Sequence, residues 1–75
     1  MDIRRLVGIN LRKYRDELGL SQEALAFECG LHRTYVSGVE RGIRNPTVTV
    51  LAKIAKALKV QPSQLLEPVR ERKAK

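Results

Sequence analysis

Cys29 and His32 are the only thiol and the only imidazole in the chain, three positions apart. That spacing invites a metal-ligand reading, but structural zinc needs four donors and no second pair follows. The same scarcity leaves little for a nucleophile and its base, so the chain reads as a non-enzyme with no metal and no cofactor. Cys29 is better taken as a small core residue. His32 stands where a helix would be capped, a place more often held by Ser or Asp. One cysteine cannot staple a fold internally, and a reducing, cytoplasmic setting fits.

The other chemistry available is charge. Fifteen Lys and Arg against eight Asp and Glu give a formal +7 over 75 residues. Such a surplus favours a polyanionic partner, nucleic acid ahead of an acidic membrane face or an acidic protein. The longest uncharged run, Asn45 to Ala52, is far too short to span a bilayer. Asp2, Arg4 and Arg5 precede a short mixed stretch that lacks the apolar core of a secretion signal. The length suits one small domain, residues 1–67, followed by a basic and mobile tail, residues 68–75. In that tail Arg70, Arg72, Lys73 and Lys75 add non-specific attraction at most.

The apolar spacing is helical nearly throughout. Val7, Leu11, Tyr14 and Leu18 step by four, three and four, which lines one face of a first helix that Gly19 stops. Ser21 can cap a second helix, with Glu23 at its positive end, Leu25, Ala26 and Cys29 inward and Gly30 as its stop. A third helix is predicted from Arg33 to Arg41, with Val36 and Val39 inward. Pro46 keeps the connection Ile43-Arg44-Asn45-Pro46 irregular. Thr47 can cap a fourth helix carrying Val48, Leu51, Ile54, Ala55 and Leu58 inward and Lys53, Lys56 and Lys59 outward. Pro62 opens a last turn or two containing Leu65 and Leu66. The prediction is an all-α chain of five helices with no strand. Gly8, inside the first helix, costs about 1 kcal/mol against alanine and points to close packing or to a need for space beside a partner.

Gln22 to Val39 is the informative stretch. Two short helices joined tightly need a small residue where their backbones cross, which Ala26 supplies, and a flexible turn, which Gly30 supplies. Apolar anchors fall at Leu25, Cys29, Leu31, Val36 and Val39. This is the pattern of a helix-turn-helix, whose second helix stands proud enough to enter a DNA major groove.

The run S-Q-E-A-L-A-F-E-C-G-L-H-R-T-Y-V-S-G-V-E-R-G, Ser21 to Gly42, closely resembles the core of the Cro and phage-repressor-like (XRE) family. The resemblance extends from about Leu6 to Leu66 and implies a lambda-repressor-like five-helix DNA-binding domain. Within the family, L-H-R-T-Y-V-S-G-V-E-R-G-I-R-N, Leu31 to Asn45, is most like the controller proteins of restriction–modification systems. Those are small homodimers that activate or repress their own operon.

The resemblance implies a role for each matching residue. Arg33 and Thr34 open the reading helix and Ser37 follows one turn on, making these the candidates for base readout. An arginine fork matches guanine O6 and N7, for about 1–3 kcal/mol of discrimination. Gly38 shares that face and offers only room for close approach. Tyr35 would reach a phosphate or wedge against the duplex. Gln22 opens the preceding helix, where backbone amides hold a phosphate and its side chain can brace the reader. Arg44 and Asn45 are candidates for backbone or minor-groove contact. Arg15 and Glu40 match a family ion pair that clamps the reader to the scaffold.

One reading helix spans only three or four base pairs, so family members double up on palindromic DNA with half-sites ~34 Å apart. Leu65, Leu66 and Val69 are the expected dimer interface, and RNA polymerase is a further partner if the protein activates. A second reading is the antitoxin of a toxin–antitoxin pair, which shares the fold. A long partner-binding segment would favour it, and only the short tail is on offer.

Overall fold

The structure is a computed structural model and describes residues 2–68. It contains α1 (Ile3–Glu17), α2 (Gln22–Cys29), α3 (Arg33–Glu40), α4 (Val48–Leu58) and a 3-10 helix, Pro62–Leu66, with no strand among the described residues. Side chains start three of the four α-helices. Asp2 Oδ1 accepts from the Arg4 amide at 2.9 Å, Ser21 Oγ from Ala24 at 3.0 Å, and Thr47 Oγ1 from Val50 at 3.1 Å. Each satisfies a backbone donor that the first turn leaves without an intrahelical partner. His32, in the corresponding place before α3, makes no side-chain cap.

Four α-helices, not five, is the first correction. The segment after Pro62 closes as a single 3-10 helix of five residues, too short to settle into α turns. It is held locally by the Gln61 amide donating to Gln64 Oε1 at 2.9 Å. It is held globally by Asn10, the one buried polar residue among those described, whose Nδ2 donates to the carbonyls of Leu65 and Glu67.

The core collects Val7 and Leu11 from α1, Leu25, Ala26 and Cys29 from α2, and Val36 and Val39 from α3. Leu51, Ile54, Ala55 and Leu58 from α4 complete it with Leu65. Two expected core positions lie elsewhere. Val48 is 81% exposed, because it is the first residue of α4 and its side chain leans past the helix start into solvent. Leu18 is 43% exposed, because α1 ends at Glu17 and Leu18 is already its cap.

Gly8 has a specific reason. A Cβ there would lie 2.5 Å from the carbonyl oxygen of Val39 and would also collide with that of Glu40. The α1 backbone therefore runs directly against the end of α3, and only a bare Cα fits. At the far end of α4, Lys59 takes the left-handed conformation at φ 63, where glycine would be easier.

Candidate nucleic-acid interface

The outer side of α3 and the loop after it carry three exposed arginines. Arg33 and Thr34 are exposed at the start of the helix, and Arg41, Arg44 and Asn45 are exposed after it. None of Arg33, Arg41 and Arg44 is ion-paired among the described residues. Unpaired guanidinium groups on a helix that is otherwise anchored through Val36 and Val39 suit an anionic partner outside the protein. Ser37 is half-buried, and its Oγ accepts from Arg41 Nε at 3.3 Å. Tyr35 is half-buried as well and packs against the core.

Arg15 and Glu40 meet between α1 and the end of α3. Arg15 Nε is 2.5 Å from Glu40 Oε2 and Nη2 is 3.2 Å from Oε1, a two-pronged contact. The two side chains are only 11% and 5% exposed. Arg15 Nη1 donates to the Leu20 carbonyl at 2.7 Å, so the guanidinium also ties down the turn before α2. The hydrogen bond to Glu40 raises the Arg15 pKa above its ordinary value, against the opposing pull of burial. Gln22 joins the group: its Nε2 donates to Glu40 Oε1 at 2.9 Å. One carboxylate at the end of α3 thus gathers donors from α1 and from the first residue of α2.

Arg44 lies across α3. A Cβ on Gly38 would fall 2.7 Å from Arg44 Cγ, so the stem of that side chain fills the space above the glycine. Its guanidinium carbon is 5.8 Å from the centre of the Tyr35 ring. The amides of Ile43 and Arg44 both donate to the Gly38 carbonyl, at 2.9 and 3.2 Å.

The remaining expected residues divide. Leu65 is fully buried in the core, so it presents no side-chain surface to a partner, and its place in a dimer interface is corrected. Neighbouring residues of a 3-10 helix point about 120° apart, so Leu66 faces outward at 43% exposure. Val69 and the basic residues of the tail lie outside the described residues. Cys29 is buried with Sγ 3.8 Å from the Lys53 carbonyl, and burial pushes its thiol pKa up. Among the described residues no three His, Cys, Asp or Glu side chains gather into a metal-binding group. The sequence reading does not single out Asn10, and it gives Gly8 a packing role without naming the α3 carbonyls it meets. A polar residue amid Val7, Ile9 and Leu11 and a glycine inside a helix were the available signals.

This geometry is that of a helix-turn-helix protein. A helix-turn-helix family model matches residues 11–65, and the chain belongs to that family. It is 52% identical over 67 residues to the control protein C.BamHI of Bacillus amyloliquefaciens, a match covering 88% of this chain and 83% of the relative. Among solved structures it resembles the restriction-modification controller protein C.AhdI of Aeromonas hydrophila, with a TM-score of 0.80 and 48% identity, over 83% of this chain and 94% of that one. It also resembles the biofilm regulator SinR, solved in complex with DNA, with a TM-score of 0.78 and 34% identity, over 81% and 98% of the two chains. SinR is a transcriptional regulator of Bacillus subtilis.

Proposed function

We propose that this chain is a transcriptional regulator that binds double-stranded DNA as a homodimer on palindromic operator sites, controlling its own restriction–modification operon. The observation that carries the reading is the outward start of α3. Arg33 and Thr34 project there without side-chain partners among the described residues, on a helix whose far end is clamped by Arg15 and Gln22 through Glu40. Arg33, Thr34 and Ser37 would read base edges. The free amides that open α2 would meet a phosphate, since the Gln22 side chain is engaged with Glu40. Tyr35, Arg44 and Asn45 add contacts on the same side.

The controller relatives support the choice of operon, and the outward Leu66 supports a two-fold contact near the 3-10 helix. RNA polymerase is a partner where binding activates. No helix among those described is long and apolar enough to cross a membrane. A DNA operator as partner would put the protein in the cytoplasm.

Footprinting on the DNA upstream of its own gene, with sedimentation of the same samples, tests this reading. A symmetric protected site and a dimer mass are expected. Arg33→Ala should lower affinity for that site about tenfold or more and relax its sequence preference. Equal affinity of the wild-type protein for the site and for a scrambled duplex at moderate salt would refute it.

A further inference from the structure

Arginine occurs four times on α1, and in three cases a carboxylate answers it. Arg4 pairs with Asp2 at 2.8 Å, Arg12 with Asp16 at 3.8 Å, and Arg15 with Glu40. Arg5 is the exception: it is exposed and not ion-paired among the described residues. Its stem is nevertheless placed. A Cβ on Gly42 would fall 2.8 Å from Arg5 Cγ and 3.2 Å from Arg5 Cα, so the first turn of α1 lies directly on the turn that follows α3. Gly8, three residues further along the same side of α1, makes the matching approach to the Val39 and Glu40 carbonyls.

The end of α3 does not call on this cation as a cap. The carbonyls of Ser37, Gly38 and Val39 already accept from the amides of Arg41, of Ile43 and Arg44, and of Gly42. A helix of eight residues is about 12 Å long, close to the width of the DNA major groove. If α3 meets bases at Arg33, its other end stands beside the sugar–phosphate chain that bounds the groove. We propose that Arg5 binds a backbone phosphate there, one in each half-site, and so extends the DNA interface beyond the helix-turn-helix onto α1. The ligand is a phosphodiester oxygen, which sets the register of the protein on the duplex and carries no sequence information. This rests on the DNA-reading role proposed above.

Salt dependence tests the contact. The probes are a duplex selected by the wild-type protein from a random pool and an unselected duplex, each titrated over a range of salt. Arg5→Gln is expected to make the log–log salt slope shallower by about 0.9 for each protomer bound. The advantage of the wild type over the variant should then shrink about 3.5-fold per protomer between about 50 and about 200 mM salt. Selected and unselected duplexes should weaken by a similar factor, because a phosphate contact is blind to sequence. Arg5→Lys should restore most of the slope, since a phosphate accepts either cation. Lys56→Gln, which removes an equal charge from the exposed face of α4, is the comparison for bulk charge and should leave the slope nearly unchanged.

Ethylation of single backbone phosphates locates the partner. One phosphate in each half-site whose ethylation weakens the wild-type protein should lose that effect in Arg5→Gln, the others keeping theirs. An unchanged interference pattern would overturn the proposal. So would equal slope changes in Arg5→Gln and Lys56→Gln, which would reduce Arg5 to its share of the net charge. A loss confined to the selected duplex and not rescued by Arg5→Lys would make Arg5 a base reader instead. A lower melting temperature for Arg5→Gln with the slope intact would make it a structural residue. Failure of the wild-type protein to distinguish the two duplexes would refute the DNA-reading role itself, and this is seen before any variant is made.

Discussion

Replacing Gly8 by alanine sets two effects of opposite sign against each other. In an open helix the change would stabilise by about 1 kcal/mol. Here the added Cβ would lie 2.5 Å from the Val39 carbonyl oxygen, whereas ordinary contact begins at 3.4 Å. The obstacle is backbone, so α1 and the end of α3 must separate by about 1 Å, as a close-packed interior has no slack to absorb the atom. Overpacking of this kind costs about 1–3 kcal/mol.

A second loss follows from position. Arg15 is two turns further along the same stripe of α1, so the separation also draws its guanidinium away from Glu40, a charge-assisted bond worth about 1.5–3 kcal/mol. The net expectation is destabilisation by about 1–4 kcal/mol, against a total of roughly 3–10 kcal/mol for a domain of this size. Urea unfolding followed by circular dichroism should show a lower midpoint with an unchanged slope. A melting temperature lower by about 4–8 °C for each kcal/mol should accompany it. An alanine variant as stable as the wild type, or more so, would show that the α1–α3 crossing is not tight.

Other perturbations probe neighbouring features. Glu40→Ala strands the enclosed Arg15 guanidinium and should cost about 3–5 kcal/mol, while Arg15→Met with Glu40→Leu should recover most of that loss; thermal melts of both variants decide. Asn10→Leu removes the donor to the Leu65 and Glu67 carbonyls and should cost about 1–3 kcal/mol in urea, a loss below the error of the fit counting against the latch. The Asp2 carboxyl, held to about 2 by hydrogen bonds from the Arg4 side chain and amide, should titrate there by NMR and return toward 3.8 in Arg4→Gln. Because its folded pKa is the lower one, what Asp2 contributes to stability is present above 3.8 and fades as pH falls toward 2.

Helical periodicity and caps were legible in the residues, because Ser21, Thr47 and Gly30 each carry a local rule that needs no knowledge of the rest of the chain. Arg15 with Glu40 came from family resemblance, since nothing in their spacing alone joins positions 25 apart. The misses share a cause. Val48 and Leu18 obey the apolar period but stand at helix ends, where no neighbour reaches to cover them. Leu65 and Leu66 are chemically identical neighbours, and only the docking of the 3-10 helix decides which one turns inward. Gly38 looked like an empty position because the side chain that fills it comes from six residues later.

The Asn10 amide joins a residue near one end of the chain to carbonyls 55 and 57 positions away. The opening helix and the closing turn are thereby a single cooperative unit, though almost the whole sequence lies between them. Ends of small domains ordinarily fray independently, exchanging their amides within the dead time of the measurement. Here protection in the second half of α1 and at Leu65 should rise and fall together. Docking of this turn also closes the longest hydrogen-bonded loop among the described residues, so this piece arrives late in assembly and its release is an early step in unfolding.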